Sequence, residues 1–379
     1  MELKPSCQRD EMAGILDEEK NMMKRKLTRD IIALAVTGVL SFSVLTGCGA
    51  KTAVTTPAET SSEVEKPVET PAEEKIVITD HLGREVVLEK PAEMVVSGYN
   101  ISTSMMIAMG LEDKIVGIEV GAEDRPMYKL AAEEFLALPN VGSAKNFNLE
   151  QAISLSPDLV ILPVRLKEQI ETLQGMGIPA IGINPETPLQ MTETLTMIGK
   201  ATGTEKRAKE LVDYIDGKME TLSKLIEGKE KPKVYMAGNS SFLTTASSKM
   251  YQSYQMEMAG GENVAKDIEE NYWAEISYEQ LITYNPDVIV IVSDAKYTKE
   301  DLLKDEKLAS LNAVKNARIY KMPGNFEAWD SPLPASVLGT LWMTSCLHKD
   351  IYTQEQLNVD IKEFYQKFFD VEVVTNAIQ

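Results

Sequence analysis

Residues 148–162 read NLEQAISLSPDLVIL, and residues 277–291 read SYEQLITYNPDVIVI. Aligned without a gap, they share Glu150 and Glu279, Gln151 and Gln280, Ile153 and Ile282, Pro157 and Pro286, and Asp158 and Asp287. Each opens on a polar residue, Asn148 or Ser277, with glutamine three positions on, the pattern of a capping box at a helix start. Ser-Pro or Asn-Pro then stops the helix after about two turns, because proline disfavours the helical region for the residue before it. The apolar run that follows, 159–162 or 288–292, suits a strand covered on both faces of a parallel sheet. A helix-then-strand unit written twice, far apart, predicts two similar α/β lobes.

The flanks extend that pattern. A hairpin is expected at 75–79 and 85–88, turning at 80–83. Strands at 94–97, 115–118, 159–162 and 180–183 then alternate with helices at 102–109, 149–155 and 166–174, which indicates a parallel, doubly wound sheet. A long helical region follows, nicked at 199–203. In its second part Ala208, Leu211, Val212, Ile215, Met219, Leu222 and Ile226 recur at helical spacing. Roughly 23 residues at 1.5 Å each give about 35 Å, enough to run along both lobes. Alternation resumes with strand 234–237, helix 251–259 ended by Gly260-Gly261, helix 278–283, strand 288–292, short helices within 302–311, strand 318–321, and helices 335–347 and 354–369. The lobes are therefore placed at 75–187 and 230–379, with the interlobe helical region at 188–229.

Composition bounds the function. The chain has 379 residues, 44% of them hydrophobic, and a formal charge of −19. So acidic a surface argues against nucleic acid as a partner. Its 3 cysteines, Cys7, Cys48 and Cys346, supply neither a disulfide framework nor a Cys-based zinc site. With only 2 histidines, His81 and His348, a multi-histidine site for a bare transition metal is disfavoured, so no residue is assigned as a direct metal ligand.

Residues 1–47 read as a leader, for which Met22 or Met23 is the better start. Lys24, Arg25, Lys26 and Arg29 precede an apolar run at 31–45, whose fifteen or so residues are too few to span a bilayer comfortably. That layout is a secretory signal. Residues 49–74 are rich in Thr, Pro, Glu and Ala without periodicity, and cannot bury enough apolar surface to offset ordering entropy, so they are expected to be a tether.

Two resemblances bear on these segments. Leu45-Thr46-Gly47-Cys48 resembles the bacterial lipoprotein processing box, which implies cleavage before Cys48 and a lipid on its sulfur. The stretches TDHLGREVVLEKPAEMVVS (79–97), NLEQAISLSPDLVI (148–161), MEMAGGENVA (256–265) and ISYEQLITYNPDVIVI (276–291) resemble the helical-backbone class of ABC-transporter substrate-binding proteins. The resemblance covers about residues 75–370. It implies an α/β fold of two doubly wound lobes joined by one long interlobe helix, with the ligand in the cleft and only small closing motions. It also implies an extracytoplasmic protein, lipid-anchored to a bacterial cell membrane, that carries no cofactor. Its ligand would be a metal chelate: a ferric siderophore first, cobalamin or haem next, with an oxyanion as the alternative. It would deliver that ligand to an ABC permease dimer, with Glu150 and Glu279 meeting arginines on the two permease subunits.

Cleft residues follow from topology, since ligands of open α/β sheets sit beyond the carboxyl ends of the strands. On that rule the candidates are Tyr99, Asn100, Arg125 and Arg165 in the first lobe, and Asn239, Trp273, Phe326 and Trp329 in the second. The aromatic residues suit a bulky, partly apolar ligand and the arginines an anionic one. His81, at the hairpin tip, is expected to be a turn residue remote from these loops, and Met105, Met106 and Met109 are expected to be packing rather than haem ligands. An enzyme is the rival class. No G-x-S-x-G elbow, P-loop or G-x-G-x-x-G is present, which leaves Glu327 and Asp330 as its one carboxylate pair.

Overall fold

A computed structural model describes residues 75–270 and 272–378, all within the compact unit Thr70–Gln379. The leader, Cys48 and the tether lie outside the described residues. The chain opens with β1 (Ile76–Thr79) and β2 (Glu85–Leu88), an antiparallel hairpin. The first lobe runs β3 (Val95–Ser97), α1 (Asn100–Ala108), β4 (Ile115–Gly117), α2 (Pro126–Ala131), α3 (Leu149–Ser154), β5 (Leu159–Pro163), α4 (Lys167–Gly175) and β6 (Ala180–Ile183). Its strands are parallel in the order β4-β3-β5-β6. Then come α5 (Pro188–Thr202) and α6 (Glu205–Ile226).

The second lobe comprises β7 (Lys233–Ala237), β8 (Thr244–Thr245), α7 (Tyr251–Met258), β9 (Glu262–Asn263), β10 (Ala274–Glu275), α8 (Tyr278–Tyr284), β11 (Val288–Ile291), α9 (Lys299–Lys304), α10 (Asn312–Lys315), β12 (Ile319–Lys321), α11 (Ser336–Leu347) and α12 (Gln354–Phe369). Its sheet is separate, in the order β10-β8-β7-β11-β12 with β9 also on β7. Strands β7, β11 and β12 are parallel, whereas β8 and β10 form an antiparallel extension.

The repeated stretch builds the same unit in each lobe. Asn148 Oδ1 accepts the Gln151 N–H and Ser277 Oγ accepts the Gln280 N–H, both at 3.1 Å. Only this forward half of the expected box is seen in either lobe; in the first, the Gln151 side chain turns instead to Ser154 Oγ at 3.3 Å. The residues before the two prolines, Ser156 and Asn285, take left-handed φ of 51° and 42°, which ends both helices abruptly. The shared aspartates then hold the neighbouring strand. Asp158 accepts the Glu93 and Met94 N–H groups at 3.0 and 2.9 Å, ahead of β3. Asp287 accepts the Lys233 N–H at 3.1 Å, at the start of β7.

The interlobe region is two helices. They meet at Gly203, where φ is +72°, a conformation that strains any residue with a Cβ. Helix α5 packs on β1 of the first lobe, and α6 packs on α5 and, in the second lobe, on α7 and α11. A return element braces it. Helix α12 packs against α1 of the first lobe and against α6, where Lys218 Nζ reaches Asp360 at 2.6 Å and Glu363 at 2.9 Å. Arg207 donates to the Lys367 carbonyl at 2.8 Å, and the Tyr214 ring lies 5.2 Å from that of Phe368. Two helices holding both lobes favour small sliding motions over wide hinge bending.

Candidate ligand-binding cleft

In the first sheet the chain leaves β3 toward β4 on one side and leaves β5 toward β6 on the other. The loops beyond β3 and β5 therefore diverge, opening a crevice at their carboxyl ends. Gly98 lets the backbone turn there, since a Cβ would come within 2.4 Å of Leu162 and 2.8 Å of Phe147. A cavity of about 380 Å³ occupies the crevice. The first lobe contributes Tyr99, Arg165 and Glu186, and α5 adds Gln190; the second lobe closes it with Lys249, Tyr254 and Tyr272.

Arg165 extends over the Tyr99 ring, 5.6 Å from its centroid. Among the described residues no carboxylate lies within ion-pair distance of Arg165 or Lys249. Burial pushes the Tyr99 hydroxyl up to about 12, so it stays a neutral donor. Burial also raises Glu186, opposed by the facing Tyr251 N–H and by Arg165. The cavity thus offers two unpaired cations, three phenols and one reluctant carboxylate.

Arg165 also borders a second cavity, of about 220 Å³, with Asn100, Glu119, Arg125 and Lys145. Arg125 is differently placed: its Nε lies 3.3 Å from buried Glu119, which accepts from Thr103 Oγ1 at 2.7 Å and the Tyr128 hydroxyl at 2.9 Å. Its charge is largely met within its own lobe. Below it, Phe326 and Asn100 line a pocket of about 30 Å³ between the lobes.

The remaining candidates lie elsewhere. Trp329 is 1% exposed and donates from Nε1 to the Tyr365 hydroxyl at 2.9 Å, so it is a core residue and not a cleft aromatic. Asn239 is exposed but bonds Asp294 at 3.1 Å, away from the cavity. Trp273 packs against the core over Gly238, while its neighbour Tyr272, 66% exposed, reaches the cavity. The reason is architectural: the second-lobe wall is built from the antiparallel extension and the start of α7, not from parallel strand ends. Glu186 follows β6 and was open to the strand-end rule; Lys249 and Tyr254 carry no sequence signal. His81 also needs correcting, since it sits beside the loop that follows β6 and is not remote from the cleft. The three methionines of α1 and its cap, Met105, Met106 and Met109, are packed in the core.

Glu327 and Asp330 are consumed by structure. Asp330 accepts from Ser293 N–H at 2.6 Å and Oγ at 2.8 Å, pinning the loop after β11, and burial pushes it up to about 6. Glu327 accepts from Ser104 Oγ of α1 across the lobe boundary, and burial pushes it up to about 7 against the pull of Ser104 and Arg125. A carboxyl raised from 4.5 to about 7 holds its proton in the folded chain over a range where the unfolded chain has lost it. Its contribution is full below the unfolded value and is lost as pH rises through about 7. E327Q is expected to flatten that fall in stability; a denaturant series from pH 4 to 8 checks it, and an unchanged slope refutes it.

Among the described residues no cluster of three His, Cys, Asp or Glu could hold a metal ion. Residues 95–326 match the family described as periplasmic binding protein. The molybdate-binding protein MolA of Haemophilus influenzae is 25% identical over 327 residues, 78% of this chain and 88% of that one. The uncharacterized ABC transporter substrate-binding lipoprotein YvrC of Bacillus subtilis is 27% identical over 65% of this chain and 77% of its own. A periplasmic solute binding protein of solved structure from Veillonella parvula matches with a TM-score of 0.69 and 27% identity, covering 80% of this chain and 95% of that one.

Proposed function

This chain belongs to the periplasmic binding protein family, solute carriers of ABC importers rather than enzymes, and from that premise we propose that it captures an anionic metal chelate between its lobes. A ferric siderophore ranks ahead of cobalamin or haem. The observation that carries this reading is one cavity holding Arg165 and Lys249 without carboxylate partners, ringed by Tyr99, Tyr254 and Tyr272. Its 380 Å³ falls at the small end of ligand sites, about 300–1,000 Å³. That supports a compact chelate over a corrin or porphyrin ring enclosed whole.

The oxyanion reading draws on the name of the MolA relative. Glu186 weighs against it, because an ion that presents only acceptor oxygens meets a carboxylate there, whereas a chelate with hydroxyl or amide groups can donate to it. The test is a tyrosine and tryptophan fluorescence titration with a ferric catecholate complex and with molybdate, on wild type and E186Q. Wild type is expected to saturate with the ferric complex and ignore molybdate, and E186Q to weaken that preference. Saturation by molybdate alone overturns the chelate reading.

Delivery rests on Glu150 and Glu279. Each is exposed in the first turn of a helix that leads into a parallel strand, which puts both on the carboxyl-end rim of their own sheets. We assign them to the two permease subunits, one per lobe, where arginine forks would pair bidentately. Attachment through Cys48 is part of the same proposal, supported by the lipoprotein name of YvrC. Among the described residues no helix is long and apolar enough to cross a membrane.

A further inference from the structure

The hairpin turn of residues 80–83 is docked on the carboxyl end of β6, an edge strand of its sheet. The His81 N–H donates to the Gly182 carbonyl at 3.0 Å, and Asp80 Oδ2 accepts the Gly182 N–H at 2.9 Å. Arg84, paired with Asp80, donates to the Ala180 carbonyl at 3.2 Å. The turn thereby satisfies backbone groups that no further strand reaches. One contact goes beyond the strand: His81 Nδ1 accepts the Asn184 N–H at 2.7 Å. Asn184 opens the loop that leads to Glu186, whose N–H donates back to the Asn184 carbonyl at 2.9 Å, and both residues line the ligand cavity.

We propose that His81 is a positioning residue for ligand binding: its unprotonated Nδ1 holds the Asn184 amide and so sets the cleft loop that carries Glu186. An accepting Nδ1 requires the neutral ring with its proton on Nε2, which lies 3.4 Å from Glu193 of α5. The charged groups facing the ring are Asp80 of the hairpin and Glu193 of α5. Burial holds the imidazole below the ordinary histidine range against the pull of Glu193 and Asp80, so the acceptor is intact at neutral pH. Histidine is replaceable here only by a side chain with an acceptor at the same reach. Asparagine has one; leucine does not.

The inference rests on the cleft reading above, and its test separates the two. H81L and H81N are compared with wild type for affinity toward a ferric catecholate complex between pH 5 and 8, and for hydrogen exchange at the Asn184 amide. H81L is expected to lose about tenfold in affinity and to exchange Asn184 faster, since a lost acceptor orphans that amide. H81N is expected to restore both and to lack the acid decline that protonation of His81 imposes on wild type. Equal affinity and equal Asn184 exchange in H81L and wild type overturn the assignment, as does an H81N that behaves like H81L. H81N against wild type decides the matter even where H81L does not fold. Should wild type ignore the probe, the chelate reading fails, while the exchange comparison still decides the role of His81.

Discussion

The double variant E150K/E279K is expected to abolish uptake while solute capture stays within about twofold of wild type, because like-charge juxtaposition across an interface is strongly unfavourable and neither residue lines the cleft. Both glutamates are exposed, so their reversal removes no packing. Glu279 is held below the usual carboxylate range by its own backbone N–H and by Ser277, and is fully charged wherever uptake is measured. A lysine in a first helical turn opposes the helix dipole, a small effect confined to that turn. Single reversals are expected to fall between, since one correct contact still sets half of the register. The measurement pairs cellular uptake of labelled solute with a binding titration on the purified variant. Uptake that survives the double reversal removes these carboxylates from the docking surface.

Truncating Arg165 should weaken binding far more than truncating Arg125, although both follow strand ends in the same lobe. Removing one partner of a desolvated charge pair costs about 2–5 kcal/mol. Arg165 is exposed until a ligand covers it, which places R165A at the lower end, roughly 100-fold in affinity. R165K should recover only part of that, because an ammonium lacks the planar face that lies on Tyr99. R125A behaves differently. It leaves buried Glu119 without its cation, so its main effect is a lower unfolding midpoint with a modest change in affinity. Titration calorimetry beside thermal unfolding distinguishes the two, and equal losses of affinity would mean that the ligand reaches into the Arg125 cavity.

The repeated stretch shows how much was local. A capping residue, a proline stop and an apolar run act within a dozen residues, so residues 148–162 and 277–291 specified their own helix and strand and, by recurring, the two lobes. The shared aspartates tie each unit to the adjoining strand, and Asp287 also accepts from the Asn312 side chain of α10 at 3.1 Å. The first-lobe half of the cleft was legible for the same reason: Tyr99 and Arg165 follow parallel strands directly, and strand ends point at the crevice.

What tertiary structure decided is everything that depends on how distant segments meet. Trp329 looks like a loop aromatic until α12 brings Tyr365 to its indole N–H. Tyr272 and Lys249 enter the cavity because they flank the antiparallel extension, and Tyr254 because α7 follows it, and no periodicity or cap announces that arrangement. His81 and Asn184 are 103 positions apart, joined only when the hairpin settles on the edge of the sheet. Short-range backbone chemistry is written residue by residue; long-range juxtaposition comes from the packing of whole elements, and the cavity is closed only by the second.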